Sequence, residues 1–454
     1  SIAAGPYNSS YNLKNIFGNQ VTSYTIGAVS TIGSSAFYGC TNLASVTLHH
    51  AILAIDNNAF YGCSNMYRVN ITDLTAWLRI NFVSEYSNPL CYAHNLYLNG
   101  TKITELTIPS GVSTIKKHAF RGCSMTSVDI PNYTVTSIGN SAFESCSSLT
   151  SVYIGNSVTS IGENAFRGCT GLPSVFIPSS ITVISAGVFR ECSNLTSVDL
   201  PNGISQIGNN AFYNCSSLTD LVIPDEVPST IGDYAFCGCS SLTSVTIPST
   251  VNSIGNFAFS SCGSLTSVTI NSNAIASLSY SELYNMKNKF GNQVTRYTFG
   301  SNITSIGQNA FYDCTGMAEL ILPSSLSSIG NNAFQNCSGL NRVLISDLNA
   351  WYEINFANAY ANPLYYANHF YVNTNEVVNL TVTSNISEIK DYAFVGYKGL
   401  HSVSIGYYVT SIGNSAFENC SGLTSVTIGN SVNTIGDDAF KDCTNLSSVT
   451  LNNN

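Results

Sequence analysis

One phrase constrains this chain more than any other: a Phe, usually preceded by Ala, with a Cys three places on. The Phe recurs as Phe37, Phe60, Phe120, Phe143, Phe166, Phe189, Phe212, Phe236, Phe259, Phe311, Phe334, Phe394, Phe417 and Phe440, and the basic step is 23 residues. A 23-residue unit is too short to close a core by itself, so each unit must bury its apolar face against its neighbours, the defining property of a solenoid. The 454 residues therefore do not count out two or three globular domains. They count out coils, roughly 16 to 18 of them at about 4.8 Å each.

One unit, Leu149 to Cys169, shows how a coil is built. "LTSVYI" alternates, with Leu149, Val152 and Ile154 inward and Ser151 and Tyr153 outward, the period of a half-buried strand. "GNS" turns the chain, and "VTSI" sends Val158 and Ile161 inward on a second extended piece. "GENAFRGC" is a tight turn or short helix that presents Ala165, Phe166 and Cys169 to the interior. Burying each large group contributes roughly 1.5 to 3 kcal/mol, enough for a chain with little helix and few charges to outweigh its ordering entropy. Successive coils run in the same sense, so the strands pair in parallel.

Carried in register over nearly the whole chain, the text "LTSVTIPxxVxSIGxxAFxxC" resembles the leucine-rich repeats of the BspA-like (Treponema-type) bacterial surface proteins. That resemblance implies a leucine-rich-repeat solenoid, right-handed, with a parallel β ladder on the concave face and short turns or helices on the other side. It also implies an extracellular or cell-surface protein that binds other proteins.

A longer period overlies the short one. Phe37, Phe60, Phe120, Phe143 and Phe166 return as Phe311, Phe334, Phe394, Phe417 and Phe440, each displaced by 274. We therefore divide the solenoid into a first long module, 1–283, and a second, truncated copy, 284–454. Each copy carries an insert, about 71–100 and about 345–373, and these hold both tryptophans, Trp77 and Trp351. An Asp-Leu-x-Ala-Trp phrase predicts a capped helix there. Insertions in repeat proteins map to loops on one face, so Trp77 and Trp351 are candidates for an aromatic docking knob; their helical apolar spacing favours packing onto the solenoid instead.

Thirteen of the 15 Cys sit three after the repeat Phe, and Tyr397 fills the slot once. An aromatic substitutes there, so the slot reads as a ladder of buried small hydrophobes rather than a disulfide framework or a cofactor site. Cys91 and Cys237 lie outside the register. "CYAH" at Cys91 to His94 and "CGC" at Cys237 to Cys239 lack the second ligand pair that zinc needs, so no metal site is expected. No phosphate loop, Gly-x-Ser-x-Gly or catalytic constellation appears, and we expect no enzyme. A formal charge of -9 with 16 Lys plus Arg and no basic run gives no footprint for nucleic acid. No run approaches a membrane span, and no intact signal peptide is visible. Starting without Met and stopping at "SVTLNNN" in mid-repeat, the chain reads as a piece of a longer protein.

Recognition is expected on the first strand of each coil, at the residue between its two inward groups: Thr47, Asn70, Asp129, Tyr153, Phe176, Asp199, Val222, Thr246 and Thr269. Tyr153 and Phe176 are large aromatics where Thr suffices, and Asp129, Asp199 and Asp220 bracket them. An aromatic pair ringed by carboxylates is the composition of a binding hot spot. The reading is a non-enzymatic, adhesin-like repeat module for a protein or glycan ligand from a host or matrix. Its rivals are a structural stalk of tandem modules joined end to end, and a targeting region of a larger enzyme.

Overall fold

In a computed structural model, residues 5, 7–227, 229–382 and 386–452 are described. The chain forms two compact units, 1–242 and 243–454.

In the first unit the alternating segments form the strands their period calls for. Ser23–Ile26, Ser45–Leu48, Arg68–Ile71 and Leu96–Leu98 pair in parallel, then Glu105–Thr107, Ser127–Ile130 and Ser151–Ile154, then Ser174–Phe176, Ser197–Asp199 and Asp220–Leu221. The register advances one repeat per strand, Val128 opposite Val152 and Ile130 opposite Ile154. Two-residue strands such as Ser137–Ile138 and Ser160–Ile161 form a second parallel ladder. The first ladder is interrupted before Ser174–Phe176, where Pro173 has no N–H to donate to the carbonyl of Thr150. One coil on, the Thr196 N–H donates to Pro173 O at 2.8 Å and the ladder resumes.

The Ala-Phe segment is a turn, not a helix, and it builds a third ladder. The N–H groups of Phe120, Phe143, Phe166 and Phe189 each donate to the carbonyl of the residue before the next coil's Phe, at 2.8–2.9 Å. This needs left-handed backbone on both sides of the Phe. Around Phe166 these are Asn164 (φ 56°) and Gly168 (φ 69°), around Phe143 Ser141 (φ 53°) and Ser145 (φ 60°). Gly, Asn and Asp tolerate that region best, and many of these positions carry them. Most turns are preceded by Ile-Gly, and the coils touch there: a Cβ on Gly139 would lie 2.6 Å from the Lys117 nitrogen of the preceding coil.

Inside, the Phe rings form a stack, with Phe120–Phe143, Phe143–Phe166 and Phe166–Phe189 centroids 5.4, 5.2 and 5.7 Å apart. The Cys slot does more than pack. Where the preceding coil has a repeat Phe, the ladder thiol reaches its carbonyl: Cys146 Sγ donates to Phe120 O, Cys169 to Phe143 O and Cys192 to Phe166 O, all at 3.2 Å. That carbonyl already accepts the N–H of its own coil's Cys, as Phe120 O does from Cys123 at 3.0 Å, and the following coil's thiol becomes its second donor.

The second unit repeats the plan. Ser244–Ile247, Ser267–Ile270, Arg296–Phe299, Glu319–Ile321, Arg342–Ile345 and His369–Val372 form one parallel run, and Asn379–Val382, Ser402–Ile405, Ser425–Ile428 and Ser448–Leu451 another. Phe311–Phe334 and Phe394–Phe417 stack at 5.3 Å. Phe290, outside the Ala-Phe series, joins the stack against Phe259 at 5.3 Å.

The inserts differ from the expectation of projecting loops: each is a coil of its own. Asn81–Phe82 joins the second ladder beside Ala54–Ile55, and Leu96–Leu98 joins the first beside Arg68–Ile71. The extra length forms the helix Leu74–Arg79, capped by Asp73, which accepts from the Thr75 and Ala76 N–H groups. Leu348–Tyr352 is the same helix in the second insert, capped by Asp347. A hairpin ends each insert, Tyr97 opposite Lys102 and Tyr371 opposite Glu376.

Candidate functional site

The outward side of the first-ladder strands carries Tyr153, 46% exposed, and Phe176, 55% exposed, on adjacent coils. Asp129 stands opposite Tyr153 in the register, and Asp199 opposite Phe176. The Tyr153 hydroxyl accepts from Asn132 Nδ2 at 2.9 Å, which ties the ring down beside the turn. Beyond Asp199 comes Val222, 74% exposed, whose prominence sequence reasoning passed over although it marked the position.

The structure groups these residues unevenly. Phe176, Asp199, Asp220 and Val222 line one concavity of about 540 Å³, together with Asn202 and Pro224. Tyr153 and Asp129 lie on the other side of the Pro173 interruption and do not line it. Asn202 donates to Glu226, which adds a further carboxylate near the rim. The side chains of Asp129, Asp199 and Asp220 have no ion-pair or hydrogen-bond partner among the described residues.

Trp77 and Trp351, the other candidates, are each 1% exposed. Trp77 Nε1 donates to Ala119 O at 3.1 Å and Trp351 Nε1 to Ala393 O at 2.9 Å. Both rings pack the insert onto the following coil, with Phe82 and Phe356 5.1 and 5.3 Å away. Neither is available to a ligand, which corrects the docking-knob expectation: an indole donates one hydrogen bond, and here it is spent inside.

The cysteines are structural. Burial pushes Cys40 and Cys123 up to about 11 and Cys192 and Cys314 up to about 12, and it holds Cys146 and Cys169 well above the ordinary thiol value. Thiols held that far from ionisation are poor nucleophiles and ligands. Cys237 is buried despite lying outside the register. Cys91 is half-buried and accepts from Arg121 Nη1 at 3.1 Å, while His94 Nδ1 meets Gly122 O at 2.7 Å. Among the described residues no group of three or more His, Cys, Asp or Glu is placed to hold a metal ion. No described helix is long and apolar enough to cross a membrane.

With stacked 23-residue coils, parallel ladders and the Ala-Phe-x-x-Cys turn in view, the class is a leucine-rich-repeat solenoid. The profile of the BspA type leucine rich repeat region matches residues 9–86, 93–219, 205–341, 287–362 and 365–454. The chain belongs to the BspA-type leucine-rich repeat family. Similar solved structures include a leucine-rich repeat protein from Bacteroides ovatus, 22% identical over 94% of this chain and 86% of that one, with a TM-score of 0.48. A leucine rich cell surface protein from Faecalibacterium prausnitzii is 24% identical over 96% and 88%, with a TM-score of 0.28. No curated protein matches the sequence.

Proposed function

We propose that this chain is a non-catalytic module of an extracellular or cell-surface protein, and that it binds a protein or glycan through the outward side of its first-ladder strands. The observation that carries the reading is the exposed row Tyr153, Phe176 and Val222, set among carboxylates at positions where several other coils carry Ser or Thr. Thr246 and Thr269 pair in the same row of the second unit. Strand pairing is satisfied there by small hydroxyl residues, so aromatics are surplus to the fold. Exposed apolar groups that the core does not need mark interaction surfaces.

The test is an array of glycans and matrix proteins probed with the whole chain, followed by the Y153T/F176T double variant on any hit. Loss of binding with an unchanged melting curve supports the face. Undiminished binding removes it.

A further inference from the structure

The cleft between Phe176 and Val222 also says what kind of ligand it takes. From Glu105 to Leu221 the outward first-ladder positions hold Glu105, Asp129, Asp199 and Asp220 and no Lys or Arg. Asp220 pairs with Ser197 in the register, so its side chain and that of Asp199 share one face, diagonal to each other. Strand geometry sets their Cβ atoms about 8 Å apart, a gap that one ammonium or guanidinium bridges. Both carboxylates line the cavity together with Phe176 and Val222.

The second unit shows how this scaffold deals with the same positions when the partner is internal. Glu319 occupies the outward position that Asp220 holds, and Arg296 and Arg342 on the flanking strands close on it at 2.6 and 3.1 Å. Arg342 also lies over the Tyr371 ring, 5.0 Å from its centroid, and Arg68 in the first unit over Tyr97 at 4.0 Å. Tyr97 and Tyr371 hold the same place in their strands as Phe176 does in its own. Where these outward positions carry an aromatic or a carboxylate with a cation on a neighbouring strand, the two meet. At Phe176, Asp199 and Asp220 the neighbouring strands offer Ser174, Ser197 and Val222 and no cation.

We propose that the missing cation comes from the ligand: the cleft takes a Lys or Arg side chain of a polypeptide partner, its charged end between Asp199 and Asp220 and its stem along Phe176 and Val222. This deepens, and rests on, the reading of the strand face as a binding face. The aliphatic stem covers exposed apolar surface while the head group is charge-paired, and a cation over Phe176 gains from the ring face. Two adjacent carboxylates without a counter-ion repel each other in the free protein, and an incoming cation removes that repulsion.

The probe is the labelled peptide acetyl-Ser-Leu-Lys-Leu-Arg-Ser-amide, titrated against the whole chain by fluorescence anisotropy at low salt. Saturable binding is expected, weakened about tenfold by D199N/D220N. E388Q/D437N changes the net charge equally at exposed carboxylates elsewhere and leaves binding as it was. D199K/D220K prefers the same peptide with Glu in place of Lys and Arg. Absence of saturable binding, an equal loss in both neutralised pairs, or no exchange of preference in the reversed pair overturns the proposal. The two readings fail separately. A ligand from the arrays that is lost by Y153T/F176T but kept by D199N/D220N leaves the face standing and removes the cation. A ligand kept by both removes the face.

Discussion

The two 274-related copies share their interior and differ in what they show to solvent. Trp77 and Trp351 make the same bond to an alanine carbonyl, and Asn88 and Asn362 donate to the same pair of carbonyls, His118 and Ala119 in one copy and Tyr392 and Ala393 in the other. On the turn side, however, the first copy has an ionic row, Glu85–Arg121–Glu144–Arg167–Glu191, with Arg121 to Glu85 at 2.8 Å and Arg167 to Glu191 at 3.2 Å. Burial pushes the Glu191 carboxyl up, but Arg167 and Arg190 outweigh it and hold it below the ordinary value. The second copy puts Ala359, Val395, Glu418 and Lys441 at the first four of these positions. On the strand side the contrast is reversed: Ser23, Ser45, Arg68 and Asn95 become Arg296, Glu319, Arg342 and His369. Positions that face the next coil are held by geometry, and positions that face water are free to become chemistry.

The strongest test of the shared interior removes one ring from the middle of each stack. Phe143 lies between Phe120 and Phe166, and Phe417 between Phe394 and Phe440. F143A and F417A are each expected to cost roughly 3 to 5 kcal/mol, read as local hydrogen exchange in the affected coils as well as in the melting curve. A gap of more than about 2 kcal/mol between the two variants breaks the equivalence of the copies.

Alkaline pH attacks both copies through the thiol ladder. Burial raises Cys40 to about 11 and its counterpart Cys314 to about 12, from an ordinary 9.0. The unfolded chain loses these protons first, so the stability they confer is complete below pH 9 and is lost as the pH rises through the folded values. Each such group tilts the curve by up to about 1.4 kcal/mol per pH unit. Urea midpoints measured from neutral pH upward should fall beyond pH 9, and a flat profile contradicts the buried thiol ladder.

Two smaller effects separate what is shared from what is not. N88A and N362A each strip a donor from two buried carbonyls and should each cost roughly 1 to 3 kcal/mol. R121M acts in the first copy only, leaving Glu144, 11% exposed, without its nearer cation; about 1 to 2 kcal/mol is expected, shrinking at high salt. The converse V395R gains less, because it would meet one carboxylate, Glu418, where Arg121 meets two, and Val395 is a buried apolar residue that the change gives up. A loss in N88A without one in N362A, or a salt-independent R121M, would each redraw the comparison.

How much of this was legible depended on whether a residue repeats its context. The Phe stack, the inward set of each strand and the Cys slots follow from period alone, and they are found except where the inserts separate Phe60 from Phe120 and Phe334 from Phe394 and on the strand Ser448–Leu451, whose Val449 and Leu451 are exposed. The coil nature of the inserts was written in "INF" and "NLYLN", strand text displaced by a helix, and the longer spacing concealed it. The thiol-to-carbonyl bonds were not legible, because a buried Cys reads the same whether or not a carbonyl of the preceding coil lies within its reach. The separation of Tyr153 from the Phe176 cleft turns on Pro173, a single missing N–H whose effect appears only once the neighbouring strand is known.

The smallest expected effect bears most on function. Exposed cross-strand neighbours contribute roughly 0.2 to 1 kcal/mol each, so if Tyr153 and Phe176 were there to steady the sheet, Y153T/F176T would lower stability by about 1 kcal/mol or more. If they are surplus to the fold, the change stays within about 0.5 kcal/mol. Thr427 and Thr450 already stand at the corresponding places in the second copy, paired in register there, so the double variant gives the first copy the second copy's strand face. A measurable drop in melting would assign the aromatics to the scaffold and erase the distinction between the copies on this side. An unchanged melt leaves them with no structural task, and recognition is then what remains for them to do.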